Sequence, residues 1–220
     1  MNNKVFVFDV YGTLFDVHST ASDCNRLFPG YGEQLAAVWR DKQIQYTFLR
    51  QAMGKYQPFS KVTRDALRYA AAFFDQTLQQ ADEEALMKAY QSLQLFSETR
   101  DVLKELYDQQ HSLLVFSNGT KNMLHALLHN GDIASYMSHI LSVDDVKQYK
   151  PSPASYQLIL DYTKTRRDQI YFVSSNGWDV SGAKAFGFTT IWINRNSQPV
   201  EGLQLPPDAT YKSLTPLADN

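Results

Sequence analysis

Asp9 stands directly behind four consecutive apolar residues, Val5, Phe6, Val7 and Phe8. A carboxylate in that place has three chemistries open to it: metal ligation, general base catalysis or covalent attack. Gly12 breaks the chain away from strand geometry in the turn that follows, and Thr13 and Asp16 bring groups able to hydrogen-bond locally. A carboxylate nucleophile needs a nearby cation, and Lys150, ahead of Pro151 at the end of a polar loop, is the candidate. Two other apolar runs end in polar residues. Residues 113–116 lead into Ser117, Asn118, Gly119 and Thr120, and residues 170–173 into Ser174, Ser175, Asn176, Gly177, Trp178 and Asp179. One Ser-Asn-Gly is an ordinary turn, whereas three polar ends behind three apolar runs suggest a shared rim. Tyr11 is informative for what it replaces. It lies two residues after Asp9, where protonation of a leaving alkoxide would call for an acid, and it offers a phenol.

To meet, these residues need strands that point the same way. Runs 5–8, 113–116, 170–173 and 190–193, with a weaker one at 139–142, are short and apolar, as suits strands buried on both faces of a parallel sheet. Helical patterns separate them at 98–108, 121–129, from Pro153 onward, and after Asp179, where Gly182, Ala183 and Ala185 allow close packing. Right-handed crossovers bring the carboxyl ends of such strands to one rim, where open α/β sheets place ligands. Residues 16–96 read differently, as helices with no strand between them. One spans 32–53, with Leu35, Val38, Trp39, Ile44, Phe48, Leu49 and Met53 near helical spacing. A second runs from a Ser60 cap to about Leu78 with Val62, Ala66, Tyr69, Ala70 and Phe73 on one side, and a third covers 83–93. The pattern predicts an α/β fold: a Rossmann-like parallel sheet core flanked by helices, built from residues 1–15 and 97–220, with an inserted helical cap at 16–96. The proline-bearing tail reads as irregular chain.

Composition narrows the function classes. The 220 residues carry 21 basic and 23 acidic side chains, a formal charge of −2, without long runs of either sign, so no nucleic-acid or anionic-membrane surface is expected. No apolar run approaches bilayer-spanning length. Cys24, the single cysteine, excludes an internal disulfide. It suits a reducing compartment, and with no signal-like N-terminal stretch the expected location is the cytoplasm. His18, His111, His125, His129 and His139 are scattered, and no metal site is expected of them.

The segments FDVYGTLFD (8–16), SNGT (117–120), Lys150-Pro151 and SSNGWD (174–179) resemble the haloacid dehalogenase-like superfamily, and more closely its (S)-2-haloacid dehalogenases. Trp39-Arg40 with QYTFLR (45–50), Phe59, SVDDVKQYKPSPASY (142–156) and INR (193–195) extend the likeness to nearly the whole chain. The resemblance implies hydrolysis of a small 2-haloacid with inversion, through an ester on Asp9. Thr13 would orient that carboxylate and Lys150 would hold it ionised. Arg40 and Asn118 would receive the halide against an apolar wall from Phe59. Ser117 and Tyr11, with the backbone N–H groups behind Asp9, would bind the substrate carboxylate. Asp179 and Asn176, positioned by Ser174 or Ser175, would orient the water, and Trp39, Ile44, Tyr156 and Trp178 would complete the pocket.

Asp9 and Asp179 could in principle share a metal, but Lys150 nearby would already balance them, so no metal or cofactor is expected; the resemblance supports a homodimer. Gly177, where an alanine is more usual, and Val180-Ser181 are its mild departures. A departing halide needs charge stabilisation and no proton, so Arg40 present and a second carboxylate absent both favour carbon–halogen cleavage. A magnesium-dependent phosphatase and a non-catalytic cap-and-core binding protein are the competing expectations.

Overall fold

A computed structural model describes residues 3–219. Its main sheet has six strands, all parallel: β1 (Val5–Phe8), β4 (Ser112–Ser117), β5 (His139–Ser142), β6 (Ile170–Ser174), β7 (Thr189–Ile193) and β8 (Ala209–Tyr211), in the order β5-β4-β1-β6-β7-β8. β1 lies inside, paired on both sides, which is why its run is apolar on both faces: Phe6, Val7 and Phe8 are buried. Phe8 pairs with Val115 on one side and Val173 on the other. Asp9, one residue on, therefore emerges level with the ends of β4 and β6, and its N–H extends the ladder by donating to Val173 O at 2.9 Å. Helices α5 (Thr99–Asp108), α6 (Lys121–Asn130), α7 (Pro153–Thr163) and α8 (Gly177–Phe186) cover the sheet. α8 stops where Gly187 takes φ +99°, a left-handed turn that favours glycine.

Between β1 and α5 the chain leaves the sheet. It departs through β2 (Phe15–Asp16) and returns through β3 (Gln94–Leu95), which pair antiparallel as a two-residue ribbon. The inserted helices are α1 (Ala21–Leu27), α2 (Gly32–Ala52), α3 (Phe59–Phe73) and α4 (Gln80–Ala89).

Several sequence expectations need correction here. The edge strand β8 was not expected: it is short, and its sequence (Ala-Thr-Tyr) has no apolar run; α1 falls inside the stretch expected to be helical, without bounds of its own having been predicted. β8 is fixed from outside its own sequence, since Thr190 N donates to Asp208 Oδ2 at 2.8 Å. Ser60 does not cap α3, whose first turn begins behind Pro58, and α3 stops at Phe73 instead of Leu78, shortly before Asp75 enters the left-handed region at φ +53°. Tyr69 and Phe73 point outward from α3, while Val62, Ala66, Leu67 and Ala70 face inward. On α2 the buried stripe is Leu35, Trp39, Gln43 and Thr47 at four-residue spacing, and Leu49 and Met53 are exposed.

Candidate active site

Gly12 at φ +86° turns the chain sharply behind Asp9, and the turn spends its own amides: Thr13, Leu14 and Phe15 N–H all donate to Val10 O, and Gly12 N–H to Phe15 O. Of the amides just behind Asp9, those of Val10 and Tyr11 alone keep no partner among the described residues. The expected set of backbone donors thus narrows to two. The same turn points Thr13 back at Asp9, its Oγ1 donating to Oδ2 at 3.0 Å and accepting from Ser175 N at 2.9 Å.

Asp9 is 4% exposed, and its two oxygens have different settings. Oδ2 is crowded with donors: Asn176 Nδ2 at 2.8 Å, Thr13 Oγ1 at 3.0 Å and Ser174 Oγ at 3.4 Å. Among the described residues, Oδ1 accepts only from Lys150 Nζ, at 2.9 Å. That ammonium, 1% exposed, also donates to Asp179 Oδ2 at 2.6 Å and to Phe116 O at 3.3 Å, with the rings of Phe116 and Phe172 close by. Three charges removed from water survive because one cation bridges two carboxylates. Burial pushes Asp179 up to about 6 and the negative charge of Asp9 adds to the rise, while Lys150 opposes it. Lys150 itself ends above its ordinary value: burial pulls it down, and the two carboxylates more than compensate.

The carboxyl ends of β4 and β6 supply the rest. Asn118 Oδ1 accepts from Lys150 N at 3.0 Å, which turns its NH2 group away from that contact, and among the described residues that group has no acceptor. Ser117 Oγ accepts from Gly119 N at 3.1 Å and keeps its proton for another partner. Tyr11 is 3% exposed with its hydroxyl unpartnered, its ring lying against Phe59 and Tyr90, and burial holds its pKa well above the ordinary value.

Arg40 reaches in from α2. Its Nη2 donates to Asn176 Oδ1 at 3.3 Å and to Tyr11 O at 3.5 Å, and its Nη1 to Gln43 Oε1 at 2.8 Å. A cavity of about 10 Å³, enough for about one water, is lined by Asp9, Tyr11, Arg40, Ile44, Phe59, Ser117, Asn118, Lys150, Asn176 and Trp178. A cleft of about 660 Å³ adjoins it, sharing Arg40, Ile44, Asn176 and Trp178 and widening between Phe48, Phe96 and Asn194. Arg40 and Asn176, in hydrogen-bond contact with each other, line both.

Most of the residues singled out in the sequence converge here, and two lie elsewhere. Trp39, expected in the pocket wall, is buried inside the cap, its Nε1 donating to Thr63 O at 2.8 Å and its ring against Tyr90. It neighbours Arg40 in sequence, but residues one apart on a helix do not share a face. Tyr156 lies behind the cavity and not in its wall, its hydroxyl donating to Asp179 Oδ1 at 2.7 Å. Ser175 packs beside Gly12, with its amide on Thr13 and its carbonyl accepting from Trp192 Nε1 at 3.1 Å. Gln43 and Tyr90 were missed, both polar groups buried in the cap against Arg40. No group of three or more His, Cys, Asp or Glu side chains able to hold a metal ion occurs among the described residues.

Comparison with known proteins adds the family. A model described as haloacid dehalogenase-like hydrolase matches residues 3–187. An (S)-2-haloacid dehalogenase of Pseudomonas sp. (strain YL) is 41% identical over 211 residues, covering 96% of this chain and 91% of that enzyme. The crystal structure of an L-2-haloacid dehalogenase superposes with TM-score 0.96 at 43% identity, covering 100% of this chain and 98% of the other. The Xanthobacter autotrophicus L-2-haloacid dehalogenase, solved with chloropropionic acid covalently bound, superposes with TM-score 0.94 at 33% identity, covering 99% and 97%.

Proposed function

The chain belongs to the haloacid dehalogenase-like hydrolase family, and from that premise we propose that it hydrolyses short (S)-2-haloalkanoic acids to (R)-2-hydroxyalkanoic acids through an ester on Asp9. The observation that carries this reading is the set of groups lining one small cavity: a buried carboxylate held by Lys150, the Asn118 side chain beside it at the end of β4, and a guanidinium that reaches in from the cap.

Oδ1 of Asp9 is the attacking atom, because three donors already occupy Oδ2. It forms a bond to C2 as the carbon–halogen bond breaks in line behind it, and the bonding pair leaves with the halide toward Arg40 and Asn118, against Phe59. Inversion at C2 follows. Ser117, the Tyr11 hydroxyl and the Val10 and Tyr11 amides face the substrate carboxylate; a carboxylate in place of Tyr11 would repel it. Water then adds to Cγ of the ester while Asp179 takes its proton. The charge that builds on Oδ2 falls among Thr13, Ser174 and Asn176, which thereby serve as an oxyanion hole. Collapse restores the Asp9 carboxylate and expels the alkoxide, which recovers the proton from Asp179. Ile44 and Trp178 wall the cavity, and Ser175 fixes Thr13 through its amide.

No cofactor enters this scheme. The ammonium of Lys150 sits between Asp9 and Asp179, where a cation shared by the two carboxylates would otherwise stand. The functional units are a core of residues 1–15 and 97–220 and a cap of 16–96. Leu49, Met53, Tyr69 and Phe73, exposed on the cap, are the apolar surface for a homodimer, which sedimentation velocity tests. No helix among the described residues is long and apolar enough to cross a membrane, and the free Cys24 thiol supports a cytoplasmic location.

Two measurements test the reaction. (S)-2-Chloropropionate should release chloride and (R)-lactate at equal rates with or without chelator, while the (R) substrate is left intact. In a single turnover in heavy-oxygen water, the label should enter Asp9. Label found directly in the hydroxy acid would eliminate the ester, and chelator-sensitive phosphate release from a phosphomonoester would point to the phosphatase instead.

A further inference from the structure

Arg40 is tethered on the cap side by a residue that touches nothing in the cavity. Gln43 lies one turn further along α2, fully buried, and its amide makes three hydrogen bonds: Oε1 accepts from Arg40 Nη1 at 2.8 Å and from Tyr90 Oη at 2.8 Å, and Nε2 donates to Thr63 Oγ1 at 2.7 Å. The chemistry of the neighbours fixes the direction of that amide. Thr63 spends its hydroxyl proton on Phe59 O at 2.8 Å, so toward Gln43 it can only accept; Arg40 has nothing but protons to offer. A flipped amide would set donor against donor at Arg40. The network therefore has one proton arrangement, and it spans α2, α3 and the end of α4, including the turn that carries Phe59.

We propose that Gln43 is a positioning residue for leaving-group stabilisation, holding Arg40 at the halide side of the cavity with an acceptor that carries no charge. A carboxylate there would hold the guanidinium as firmly, yet it would neutralise the charge that the departing halide needs. An apolar side chain would leave the guanidinium to its remaining long contacts, Asn176 at 3.3 Å and Tyr11 O at 3.5 Å, both of which lie on the core side and compete with the anion. The inference rests on the reading of Arg40 as halide acceptor.

The test is the leaving-group dependence of single-turnover halide release, comparing 2-bromopropionate with 2-chloropropionate. Chloride is the poorer leaving group, so losing transition-state stabilisation should cost it more. Gln43→Met should slow chloride release about 10- to 100-fold, in the range associated with small misplacements of a catalytic group, and should raise the bromide-to-chloride rate ratio several-fold. Gln43→Glu should raise the ratio at least as much. Tyr90→Phe, which removes one donor to Gln43 and keeps the ring, should shift it in the same direction by less, and it serves if Gln43→Met fails to fold. A purely structural role would lower the melting temperature and slow both halides equally, leaving the ratio unchanged, and that result would overturn the proposal. Absence of halide release by the parent would instead remove the reading of Arg40. A ratio that moves in Arg40→Lys but stays fixed in all three other variants would defeat the Gln43 inference alone.

Discussion

Replacing Lys150 by methionine separates its electrostatic role from packing, because the chain length is nearly kept while the charge is removed. In the parent, one ammonium at 2.9 Å from Asp9 and 2.6 Å from Asp179 bridges two carboxylates that are both excluded from water. Breaking a buried ion pair from one side costs about 3–5 kcal/mol, since the uncompensated charge stays behind. Here two stay behind, and the chain lowers the cost by keeping a proton. Asp179 already stands at about 6 with Lys150 pulling it down; without that pull it moves higher. A carboxyl raised by folding contributes stability that is complete below its unfolded value, near 3.8, and that drains away as pH rises through the folded value. In the parent that window lies between about 4 and 6, and in Lys150→Met it extends above 6. The raised Lys150 of the parent loses its own contribution only above the ordinary lysine range, outside this interval. One proton lost over two pH units is worth about 2.7 kcal/mol. Urea unfolding followed by tryptophan fluorescence should therefore show the variant about 3–5 kcal/mol less stable than the parent at pH 8, and closer to it at pH 6, by up to about 2.7 kcal/mol. A deficit under about 1 kcal/mol at pH 8, or one equal at both pH values, would refute the view that Lys150 offsets repulsion between two ionised carboxylates.

Asp9→Asn should cut turnover by at least about 10³-fold with the fold retained, checked by halide release and circular dichroism on protein whose amide is verified by mass spectrometry. Gly182→Ala places a Cβ at 2.5 Å from both the Tyr156 hydroxyl and Pro151 Cβ; it should cost about 1–3 kcal/mol and slow ester hydrolysis more than halide release, as separate single-turnover phases would show. Gly119→Ala sets a Cβ at 2.9 Å from the Tyr11 ring and should raise KM for 2-chloropropionate several-fold in steady-state assays. Ester hydrolysis should fall with decreasing pH as Asp179 takes up a proton and stops acting as base. Because esterified Asp9 has lost the charge that helps raise Asp179, the midpoint should lie below about 6 in the single-turnover hydrolysis phase, and a midpoint above it would contradict the assignment.

Legibility in the sequence followed the physics of each element. The buried strands could be read because a strand covered on both faces must be apolar throughout, and β5 (His139–Ser142) emerged with the bounds expected of it. Asp9, Asn118 and Asn176 stood out because polar residues end those runs. α2 (Gly32–Ala52) buries side chains that its own sequence does not mark as buried. Its apolar residues lie near helical spacing, yet the buried stripe passes from Leu35 and Trp39 to Gln43 and Thr47, while Phe48 turns toward the cleft beside Ile44, the one of them expected at the pocket that does line it. A polar side chain on a helix reads as solvent-facing, and nothing in α2 itself announces that Thr63 and Tyr90 wait to satisfy Gln43. The one available signal was spacing, since Gln43 follows Leu35 and Trp39 at steps of four. Tyr156 was misplaced for a related reason: its partner, Asp179, comes from a helix two elements later.

The division of charge between core and cap explains why the pocket is built from both. Before substrate arrives, Asp9 and Asp179 face Lys150 on the core side, and Arg40 is the cation on the cap side. In the proposed first step Asp9 becomes neutral as the halide becomes negative, so one unit of negative charge crosses the cavity from Lys150 toward Arg40. A site with both cations on the core side would favour the charge where it started, and the step would run uphill electrostatically. Placing the arginine on the cap makes the product of the step better matched than its reactant. It also leaves Lys150 serving Asp179 alone once the ester has formed, which strengthens the ionised form of the base that the second step requires. In the proposed first step the 3.3 Å contact between Arg40 and Asn176 gives way as the halide forms. The same guanidinium is then released from a neutral amide and free to meet an anion.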